Sequence, residues 1–385
     1  MRRFPRSATE YGPTFGIPWT RERVCGSIPA VRTNDRKTMK KKPSAYAAAG
    51  VDIDEMDRGL AKIKADVKST KTPGVLSDIG RFGGLFRSPG KDEILVASTD
   101  GVGTKLKVAH LAGIHDTVGE DLVNHCVNDI LTQGATPLFF LDYLGTAKLD
   151  AKVFAKVIAG FCRGCRRNGL ALLGGETAEM PGLYPADGEY DVCGTIVGKV
   201  SRKNLVTGET IRPGDMLVGL PSTGLQTNGY SLARKLVFEV AKKRLSDFVP
   251  GTKTTFQDAL LAVHGSFLKP VLAVRAAGVK IHGMAHITGG GLVDNVPRML
   301  PKGVDAVFDC RAWEVPPIFK FFREVGKVDP EEMYRVFNMG VGYVLCVRPK
   351  DLARTMAALA KAKARPIVVG QIAKGTGKTL LENLG

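Results

Sequence analysis

An apolar run that ends in a glycine-containing acidic turn is the feature of this sequence that most restricts its fold. Residues 94–97 read Ile-Leu-Val-Ala, which predicts a buried strand, and residues 98–105 continue as Ser-Thr-Asp-Gly-Val-Gly-Thr-Lys. In most proteins such a turn is only a turn. The same residue types can also hold a metal-bound phosphate, because glycine lets the backbone approach phosphate oxygens and a carboxylate suits Mg²⁺.

The phosphate interpretation gives each group in the turn a separate role. Asp100 is expected to ligate Mg²⁺ through its carboxylate. Gly101 and Gly103 would leave room for phosphate oxygens beside the backbone, while Thr104 and Lys105 would complete the coordination of the anion. Three further passages favour this interpretation over a plain turn.

The first is a helix predicted over residues 121–133, which has one apolar and one polar side at about 100° per residue. The apolar arc contains Leu122, Val123, Cys126, Val127, Ile130 and Leu131. The polar arc contains Asp121, Asn124, His125, Asn128 and Asp129. A polar arc is normally a solvated face. This one has no Lys or Arg, so it is better suited to binding a metal and a phosphate.

The other two passages are also strand ends that run into glycines. Residues 172–182 read Leu-Leu-Gly-Gly-Glu-Thr-Ala-Glu-Met-Pro-Gly, with carboxylates at Glu176 and Glu179. Residues 285–301 contain His286 and a strand that meets three glycines before a predicted helix. The free N–H groups at the start of that helix could bind a second anion.

Taken together, these motifs resemble the phosphoribosylformylglycinamidine cyclo-ligase family, also called aminoimidazole ribonucleotide synthetases. The similar motifs run in family order from AYAAAGVDID at residues 45–54, through SDIGRFGGLF, VNDILTQGATPLFFLDY, GGETAEMPGLY and TNGYSL, to EEMYRVFNMGVG at residues 331–342. One departure is visible. Where the family often reads Gly-Leu-His-Ser-Asn-Gly, residues 224–229 read Gly-Leu-Gln-Thr-Asn-Gly. Gln226 can form hydrogen bonds but cannot shuttle a proton.

The resemblance implies an ATP-dependent reaction of purine synthesis. ATP would phosphorylate the formyl oxygen of formylglycinamidine ribonucleotide, and the amidine-side nitrogen would then close the ring of aminoimidazole ribonucleotide and expel phosphate. The family also pairs as a homodimer through its N-terminal domains, with ATP in the cleft between the domains. The resemblance therefore implies ATP and Mg²⁺ as cofactors and a small-molecule substrate.

Alternation of predicted strands and helices divides the chain into two α/β units of similar size. We expect an α/β (α+β) fold in which helices pack on mainly antiparallel or mixed sheets. Residues 44–208 form the N-terminal ATP-binding and dimerisation domain, and residues 209–385 form the C-terminal α/β domain. Residues 1–43 are predicted to be a disordered basic extension. This extension is either a transit peptide or an overextended reading frame that truly starts at Met39, and we favour the second.

The chemistry and the resemblance together suggest four sets of site residues. The catalytic set is Asp100, Lys105, Asp129 and His286. The metal set is Asp100, Asp121, Asp129 and Glu179. The nucleotide set is Lys64, Gly83, Gly84, Gly101, Gly103, Thr104 and Asn128. The substrate set is Glu176, Asn228, Gly289, Gly290 and Gly291. A loop at residues 77–84, with Phe82 at its tip, would cover ATP. His286 is either an acid or base or a structural histidine.

The composition of the chain indicates which other classes of function are consistent with it. The chain has 385 residues and a formal net charge of +17, which makes a nucleic-acid-binding protein the alternative class. Residues 1–42 hold eleven Lys or Arg against three acids, and no basic stripe interleaved with aromatics follows, so no nucleic acid is expected. No apolar run is long enough to predict a membrane span. Seven scattered cysteines favour a reducing, cytoplasmic environment.

Other motifs and other enzymes are less consistent with the sequence. Cys162 and Cys165 have metal-site spacing but lie on an apolar helix face. Residues 375–379, Gly-Thr-Gly-Lys-Thr, resemble part of a phosphate-binding loop but are too near the end for its helix, so they are predicted to be a tail. A selenophosphate synthetase would need a cysteine in its N-terminal loop, and none lies between Cys25 and Cys126. Thiamine-monophosphate kinase, a further alternative, lacks two of the motifs in this form.

Overall fold

The structure is a computed structural model of the chain. It describes residue 45 and residues 74–76, 82, 84–88, 90, 92–185 and 189–384. The predicted extension at residues 1–43 lies outside the described residues. No helix within the described ranges is long and apolar enough to cross a membrane.

The first sheet has five strands, and its helices cover the face that forms the core. The strands are β1 (Gly84–Arg87), β2 (Glu93–Gly101), β3 (Thr136–Thr146), β4 (Ala171–Glu179) and β5 (Tyr190–Ser201), in the order β1-β2-β5-β3-β4. The helices are α1 (Lys105–Ala112), α2 (Asp116–Leu131) and α3 (Ala151–Asn168). Only β3 and β4 pair in parallel, so the sheet is mixed.

Helix α2 lies against the first sheet because one of its sides is apolar. Val123, Val127 and Ile130 are completely buried there. On a neighbouring side α2 crosses α3 very closely. A Cβ atom at Gly160 would lie 2.4 Å from the carbonyl oxygen of Asp116, which explains the glycine at that position.

The second sheet has six strands in the order β11-β8-β10-β6-β9-β7. The strands are β6 (Met216–Pro221), β7 (Gly283–His286), β8 (Val304–Asp309), β9 (Val341–Val347), β10 (Ile367–Lys374) and β11 (Thr379–Glu382). The helices are α4 (Tyr230–Arg234), α5 (Phe256–Leu261), α6 (Leu268–Ala276), α7 (Gly291–Asn295), α8 (Pro317–Gly326), α9 (Pro330–Val336) and α10 (Pro349–Lys361). Only β11 and β8 pair in parallel. Two mixed sheets with packed helices confirm the predicted fold class.

The C-terminal segment differs from its prediction. Residues 379–382 are not a tail but form β11, which pairs with β8. The preceding turn is held by Asp305, whose Oδ1 atom accepts hydrogen bonds from the backbone N–H groups of Thr376, Gly377 and Lys378 at 2.7, 2.9 and 2.8 Å. The phosphate-like loop therefore binds a carboxylate of its own chain. These three hydrogen bonds also lower the pKa of Asp305.

A buried ion pair lies where the half of the molecule that contains the first sheet meets the half that contains the second sheet. Lys105 at the start of α1 lies 2.9 Å from Asp121 on α2, and both side chains are fully buried. The Lys105 ammonium also donates to the backbone carbonyl groups of Ala262 at 2.8 Å and Gln226 at 3.2 Å, which belong to the second half. Asp121 accepts a hydrogen bond from the backbone N–H of His264 at 2.7 Å. Burial lowers the pKa of Lys105 and raises that of Asp121, and each partner opposes the shift of the other.

Two asparagines on the polar arc of α2 extend this junction. Asn124 donates to the carbonyl oxygen of His264 at 2.7 Å. Asn128 donates to the carbonyl oxygen of Gly265 at 2.8 Å and accepts from the backbone N–H of Phe267 at 2.9 Å. The polar arc therefore does not face solvent. It contacts the backbone of residues 264–267 and forms hydrogen bonds with His264, Gly265 and Phe267.

We predict that replacing Lys105 by Met lowers the free energy of unfolding by about 3–5 kcal/mol, because it leaves the Asp121 carboxylate buried without a counter-charge. Adding Asp121→Asn should recover part of this loss, since Asn still accepts from the His264 N–H group. Urea denaturation measures both effects. Lys107→Met is the control on the same helix: Lys107 pairs with Glu189 at 2.6 Å but is partly exposed, so the change should stay below about 1 kcal/mol. Equal losses for Lys105→Met and Lys107→Met would contradict the prediction.

Candidate active site

The two halves meet at a cluster of acids and histidines on the polar side of α2. Asp100 stands at the end of β2, and His125 and Asp129 lie one turn apart on α2. His286 ends β7 of the second sheet. His125, Asp129 and His286 are almost completely buried, whereas 39% of the Asp100 side chain is exposed. Asp100 is therefore the accessible acid of the cluster.

Hydrogen bonds connect the exposed acid to the interior through His125. The Nε2 atom of His125 lies 2.7 Å from Oδ2 of Asp100. Its Nδ1 atom lies 2.7 Å from the hydroxyl oxygen of Thr227 in the second half. The same hydroxyl oxygen lies 3.2 Å from Nδ1 of His264.

The chain of hydrogen bonds continues from His264 to the second acid. Nε2 of His264 lies 3.0 Å from Nε2 of His286, and Nδ1 of His286 lies 2.8 Å from Oδ1 of Asp129. Ser98 donates from its hydroxyl group to Oδ2 of Asp129 at 3.2 Å. Five consecutive hydrogen bonds thus link Asp100 to Asp129 through four side chains from both halves.

The direction of these hydrogen bonds follows from the chemistry of their ends. The Asp129 carboxylate can only accept, so Nδ1 of His286 carries the proton. Burial lowers the pKa values of His286 and His264, and both rings are therefore neutral. A neutral His286 must accept at Nε2, so His264 donates there and accepts at Nδ1 from the Thr227 hydroxyl group.

The same reasoning makes His125 a donor at both nitrogens. The Thr227 hydroxyl proton points to His264, so the Thr227 oxygen accepts from Nδ1 of His125, and Nε2 of His125 donates to Asp100. His125 is then an imidazolium. Burial alone lowers the pKa of His125, but the Asp100 and Asp129 carboxylates outweigh it and raise the pKa to about 9. Burial also opposes ionisation of Asp100, yet His125 lowers the pKa of that carboxyl group overall.

Phe82 of the predicted covering loop lies beside this cluster. Its ring centroid is 6.5 Å from that of His286, and the Arg298 guanidinium group stacks 3.6 Å from the Phe82 ring centroid. The hydroxyl group of Ser98 also lies within hydrogen-bond distance of the Phe82 carbonyl oxygen, at 3.2 Å. Of the nucleotide set, Lys64 and Gly83 lie outside the described residues, while Gly84 begins β1.

Three predicted site residues contact protein rather than open space. Lys105 is fully buried, and Asp121 and two carbonyl oxygens occupy its donors, so its geometry does not support direct contact with a phosphate. Asp121 faces Lys105, and Asn128 binds the backbone of residues 265–267. These residues instead hold the two halves in position around Asp100.

The glycine turn after β2 is crowded at Gly101, where a Cβ atom would lie 3.3 Å from the carbonyl oxygen of Val192, but open at Gly103. Gly103 has a φ angle of 53°, and a Cβ atom there would meet no atom within 4 Å. Thr104 lies 3.2 Å from the Ser231 hydroxyl group, measured between the two side-chain oxygens. Gly101 follows Asp100 directly, and its N–H donates to Oδ1 of Asp100 at 2.7 Å. This turn is open on the side beside the exposed carboxylate.

Glu176 and Glu179 are not brought to the cluster. In the register of the sheet, Asp100 on β2 aligns with Gly194 on β5, with Asp142 on β3 and with Gly175 on β4. Glu179 lies on β4 four residues beyond Gly175, so it is three strands and four residues away from Asp100. Strand spacing places the two acids roughly 19 Å apart. Glu179 accepts from the backbone N–H of Leu149 at 3.1 Å and lines a separate cavity of about 390 Å³. The four acids of the predicted metal set therefore do not surround one ion.

The backbone structure also explains why glycine occurs in the segment at residues 289–291, which was predicted to bind substrate. Gly291 has a φ angle of 58°, and a Cβ atom there would lie 1.9 Å from the carbonyl oxygen of Tyr334, so α9 excludes any side chain. Gly290 also has a positive φ angle, of 97°. The Asn228 side-chain oxygen would lie 3.4 Å from a Cβ atom at Gly289. Asn228 and the glycine turn are therefore neighbours near His286.

Three members of the hydrogen-bonded chain were not assigned a role from sequence. His125 belongs to the recognised polar arc, and Thr227 opens the recognised TNGYSL motif, so both had a signal in the sequence. His264 lies in a segment for which no motif or periodic pattern was found. Gln226 precedes Thr227 with a φ angle of 65°. Its buried amide atoms have no hydrogen-bond partner among the described residues.

The side-chain atoms of the site that could bind a metal ion differ in the type of cation that they prefer. Asp100 offers an exposed carboxylate, which fits hard Mg²⁺ that keeps several water ligands. The buried atoms of His125, Asp129 and His286 are a mixed nitrogen and oxygen set. Mg²⁺ therefore fits at Asp100 rather than among the histidines.

Comparisons with known proteins agree with this architecture. The family model described as AIR synthase related protein, N-terminal domain, matches residues 80–200, and its C-terminal counterpart matches residues 212–382. Solved structures with this fold include thiamine-monophosphate kinase from Stenotrophomonas maltophilia K279a, at 15% identity and a TM-score of 0.57, covering 84% of this chain and 95% of that one. Hydrogenase maturation protein HypE in complex with ATP has 16% identity and a TM-score of 0.55, covering 85% and 91%.

Curated relatives are much more similar in sequence. Phosphoribosylformylglycinamidine cyclo-ligase from Alkaliphilus oremlandii (strain OhILAs) is 47% identical over 339 residues, which cover 87% of this chain and 99% of the relative. The enzyme of the same name from Geotalea daltonii (strain DSM 22248 / JCM 15807 / FRC-32) is 49% identical over 339 residues, covering 87% and 97%. This chain therefore belongs to the phosphoribosylformylglycinamidine cyclo-ligase family.

Proposed function

We propose that this protein is an ATP-dependent ligase that closes the imidazole ring of aminoimidazole ribonucleotide. It converts formylglycinamidine ribonucleotide and ATP to aminoimidazole ribonucleotide, ADP and phosphate in de novo purine biosynthesis. The observation that carries this proposal is the identity of 47–49% to cyclo-ligases over nearly their whole length. The solved structures of other proteins with this fold share only 15–16% identity, so they do not identify the substrate of this chain.

The proposed reaction needs positioning and charge neutralisation more than covalent catalysis. A formamide oxygen leaves poorly, so its phosphorylation must precede attack by the amidine-side nitrogen. Phosphoryl transfer of this kind depends on orientation and on positive charge near the phosphate oxygens. ATP as the phosphate donor is supported by the ATP complex of hydrogenase maturation protein HypE, which shares this fold.

We assign these requirements to the residues at the end of β2. Asp100 would hold Mg²⁺, which neutralises phosphate charge when bound. His125 orients the Asp100 carboxylate by its 2.7 Å hydrogen bond. The open turn at Gly103 and Thr104 would bind nucleotide phosphate through its backbone, together with residues of the covering loop, while the N–H group of Gly101 holds Asp100 in place.

The second half would hold the substrate next to this turn. Asn228 and the glycines at positions 289–291 are proposed to bind the ribose phosphate, beside His286. Phe82 and Arg298 lie over the same cluster, with the Arg298 guanidinium group 3.6 Å from the Phe82 ring centroid. Exclusion of water there would protect the phosphorylated intermediate from hydrolysis.

A coupled assay for ADP tests the proposed reaction. We expect the purified full chain to release ADP with formylglycinamidine ribonucleotide as substrate, and not with thiamine monophosphate or selenide. Turnover with either of the latter two and none with formylglycinamidine ribonucleotide would overturn the assignment in favour of a related ATP-dependent enzyme. Salt-sensitive retention of DNA by the protein, with no turnover, would favour the nucleic-acid-binding alternative.

We predict that Asp100→Asn lowers kcat by roughly a hundredfold or more, because Asn keeps the turn but loses the charge that Mg²⁺ requires. Asp247→Asn is the control, since Asp247 also accepts a backbone N–H, from Arg244 at 2.8 Å, in an exposed turn. The thermal midpoint of Asp100→Asn without nucleotide should fall modestly, because the buried His125 imidazolium loses one of its two carboxylate partners, whereas that of Asp247→Asn should stay near that of the wild type. Near-normal kcat with a lowered midpoint for Asp100→Asn would show that Asp100 serves the fold.

We also infer that two chains pair through the first sheet, as a homodimer. Apolar side chains are exposed on the face of this sheet opposite its buried core. Phe86 on β1 is 47% exposed and Leu141 on β3 is 38% exposed. Exposed apolar residues grouped on one sheet face are typical of an interface.

For the cellular location of the protein, we infer the cytoplasm, because the six described cysteines are free thiols.

We expect Leu141→Asp to raise the dimer dissociation constant by about thirtyfold, equivalent to about 2 kcal/mol, because a charge would be buried at the centre of the interface. Sedimentation velocity over a concentration series measures the change. Leu380→Asp is the matched control, since Leu380 is 43% exposed on a strand of the other sheet. A monomeric wild type, or equal weakening by both substitutions, would contradict pairing through this face.

A further inference from the structure

The buried part of the histidine cluster has a composition that the proposed reaction does not explain. Phosphoryl transfer with Mg²⁺ needs carboxylates and open space, but the interior of this cluster holds imidazoles. Ligand atoms of His125, Asp129 and His286 all lie within 4.8 Å of one another. Two of these residues belong to α2 and the third ends β7, so the group spans both halves of the molecule.

We propose that His125, Asp129 and His286 bind one borderline transition-metal ion of the Zn²⁺ or Co²⁺ type, separate in kind from the Mg²⁺ that accompanies ATP. The site would tie α2 to β7. This inference does not rest on the proposed ring closure, because the binding of a metal ion is measurable without nucleotide or substrate.

The ligand types support a transition metal over Mg²⁺. Two imidazole nitrogens with one carboxylate are a ligand set found for Zn²⁺ and for Fe²⁺ in proteins. Imidazole is a poor ligand for Mg²⁺, which requires oxygen atoms in an octahedral arrangement. The three side chains are also almost fully buried, at 4, 6 and 0% exposure for His125, Asp129 and His286, which suits an ion that sheds its water.

The neighbouring groups supply a second shell and an entrance. His125 is held at Nδ1 by Thr227, and His286 is held at Nε2 by His264, so the unused nitrogen of each ligand ring is already bonded. Such outer hydrogen bonds orient metal-binding histidines. Asp100 lies 2.7 Å from Nε2 of His125 and is partly exposed, which gives an ion a path from solvent.

Metal entry replaces protons that these atoms now share. His125 loses the proton on Nε2 that it now donates to Asp100, and this proton leaves to solvent as the lone pair of that nitrogen binds the ion. His286 stays a neutral imidazole: its proton moves from Nδ1 to Nε2, which frees Nδ1 to bind the ion, and the proton on Nε2 of His264 moves to Nδ1 of His264. The Asp129 carboxylate contributes one oxygen. The bond of His125 to Thr227 keeps its direction, whereas His286 becomes the donor and His264 the acceptor in the hydrogen bond between their Nε2 atoms, and Nδ1 of His264 donates to the Thr227 oxygen.

Titration of the metal-free full chain with Co²⁺ tests the proposal through the visible absorption of bound Co²⁺. We expect about one equivalent to bind per chain, Zn²⁺ to displace it, and Mg²⁺ at the same concentration to leave it in place. His286→Gln and Asp129→Asn should each weaken Co²⁺ binding by at least about a hundredfold, since even a lost outer contact weakens metal binding tenfold or more. Asp129→Asn keeps the side-chain shape, so it tests the ligand if His286→Gln fails to fold.

His282→Gln is the matched control, because His282 is also a largely buried histidine of the second half, bonded through Nδ1 to the Thr210 hydroxyl group at 2.7 Å. It should bind Co²⁺ like the wild type. The thermal midpoint of the wild type should rise with Zn²⁺, and that of Asp129→Asn should not. No binding by the wild type, ready displacement by Mg²⁺, or equal losses in His282→Gln and Asp129→Asn would overturn the proposal.

Discussion

The burial of both sides of helix α2 is the constraint on which the rest of the structure depends. Its apolar side packs on the first sheet, and its polar side meets the second half instead of water. A polar face can be buried only if every group on it finds a partner. Lys105 neutralises Asp121, and the backbone of residues 264–267 satisfies Asn124 and Asn128. The relative position of the two halves follows from these contacts.

That fixed position is what brings the acids and histidines together. His286 reaches Asp129 only because β7 ends opposite the last turns of α2. Thr227 and His264 then complete a hydrogen-bonded chain whose direction is determined at each atom by the carboxylate ends. In this arrangement His125 carries a positive charge between two acids, and the open glycine turn beside Asp100 remains accessible to a charged ligand.

Sequence patterns predicted much of this arrangement. The alternation of apolar runs gave the mixed α/β class, and the strand predicted from the apolar run at residues 94–97 lies within β2. The wheel of α2 separated the buried apolar residues from the polar arc correctly. Short helices such as α5 and α9 were missed, because six or seven residues are too few to show a clear period.

The sequence by itself therefore determined the fold class, the polar arc and the family, since each depends on residues that are near in the chain or on long ordered motifs. Tertiary structure decided which polar residues have partners. Lys105 reads as a phosphate ligand in its motif, yet Asp121 and the Ala262 carbonyl group bury it. Glu179 reads as a metal ligand, yet its strand carries it away from Asp100. His264 lies 22 residues before His286 in the chain, yet the two rings are hydrogen-bonded, because hydrogen bonding depends on distance in space and not in sequence.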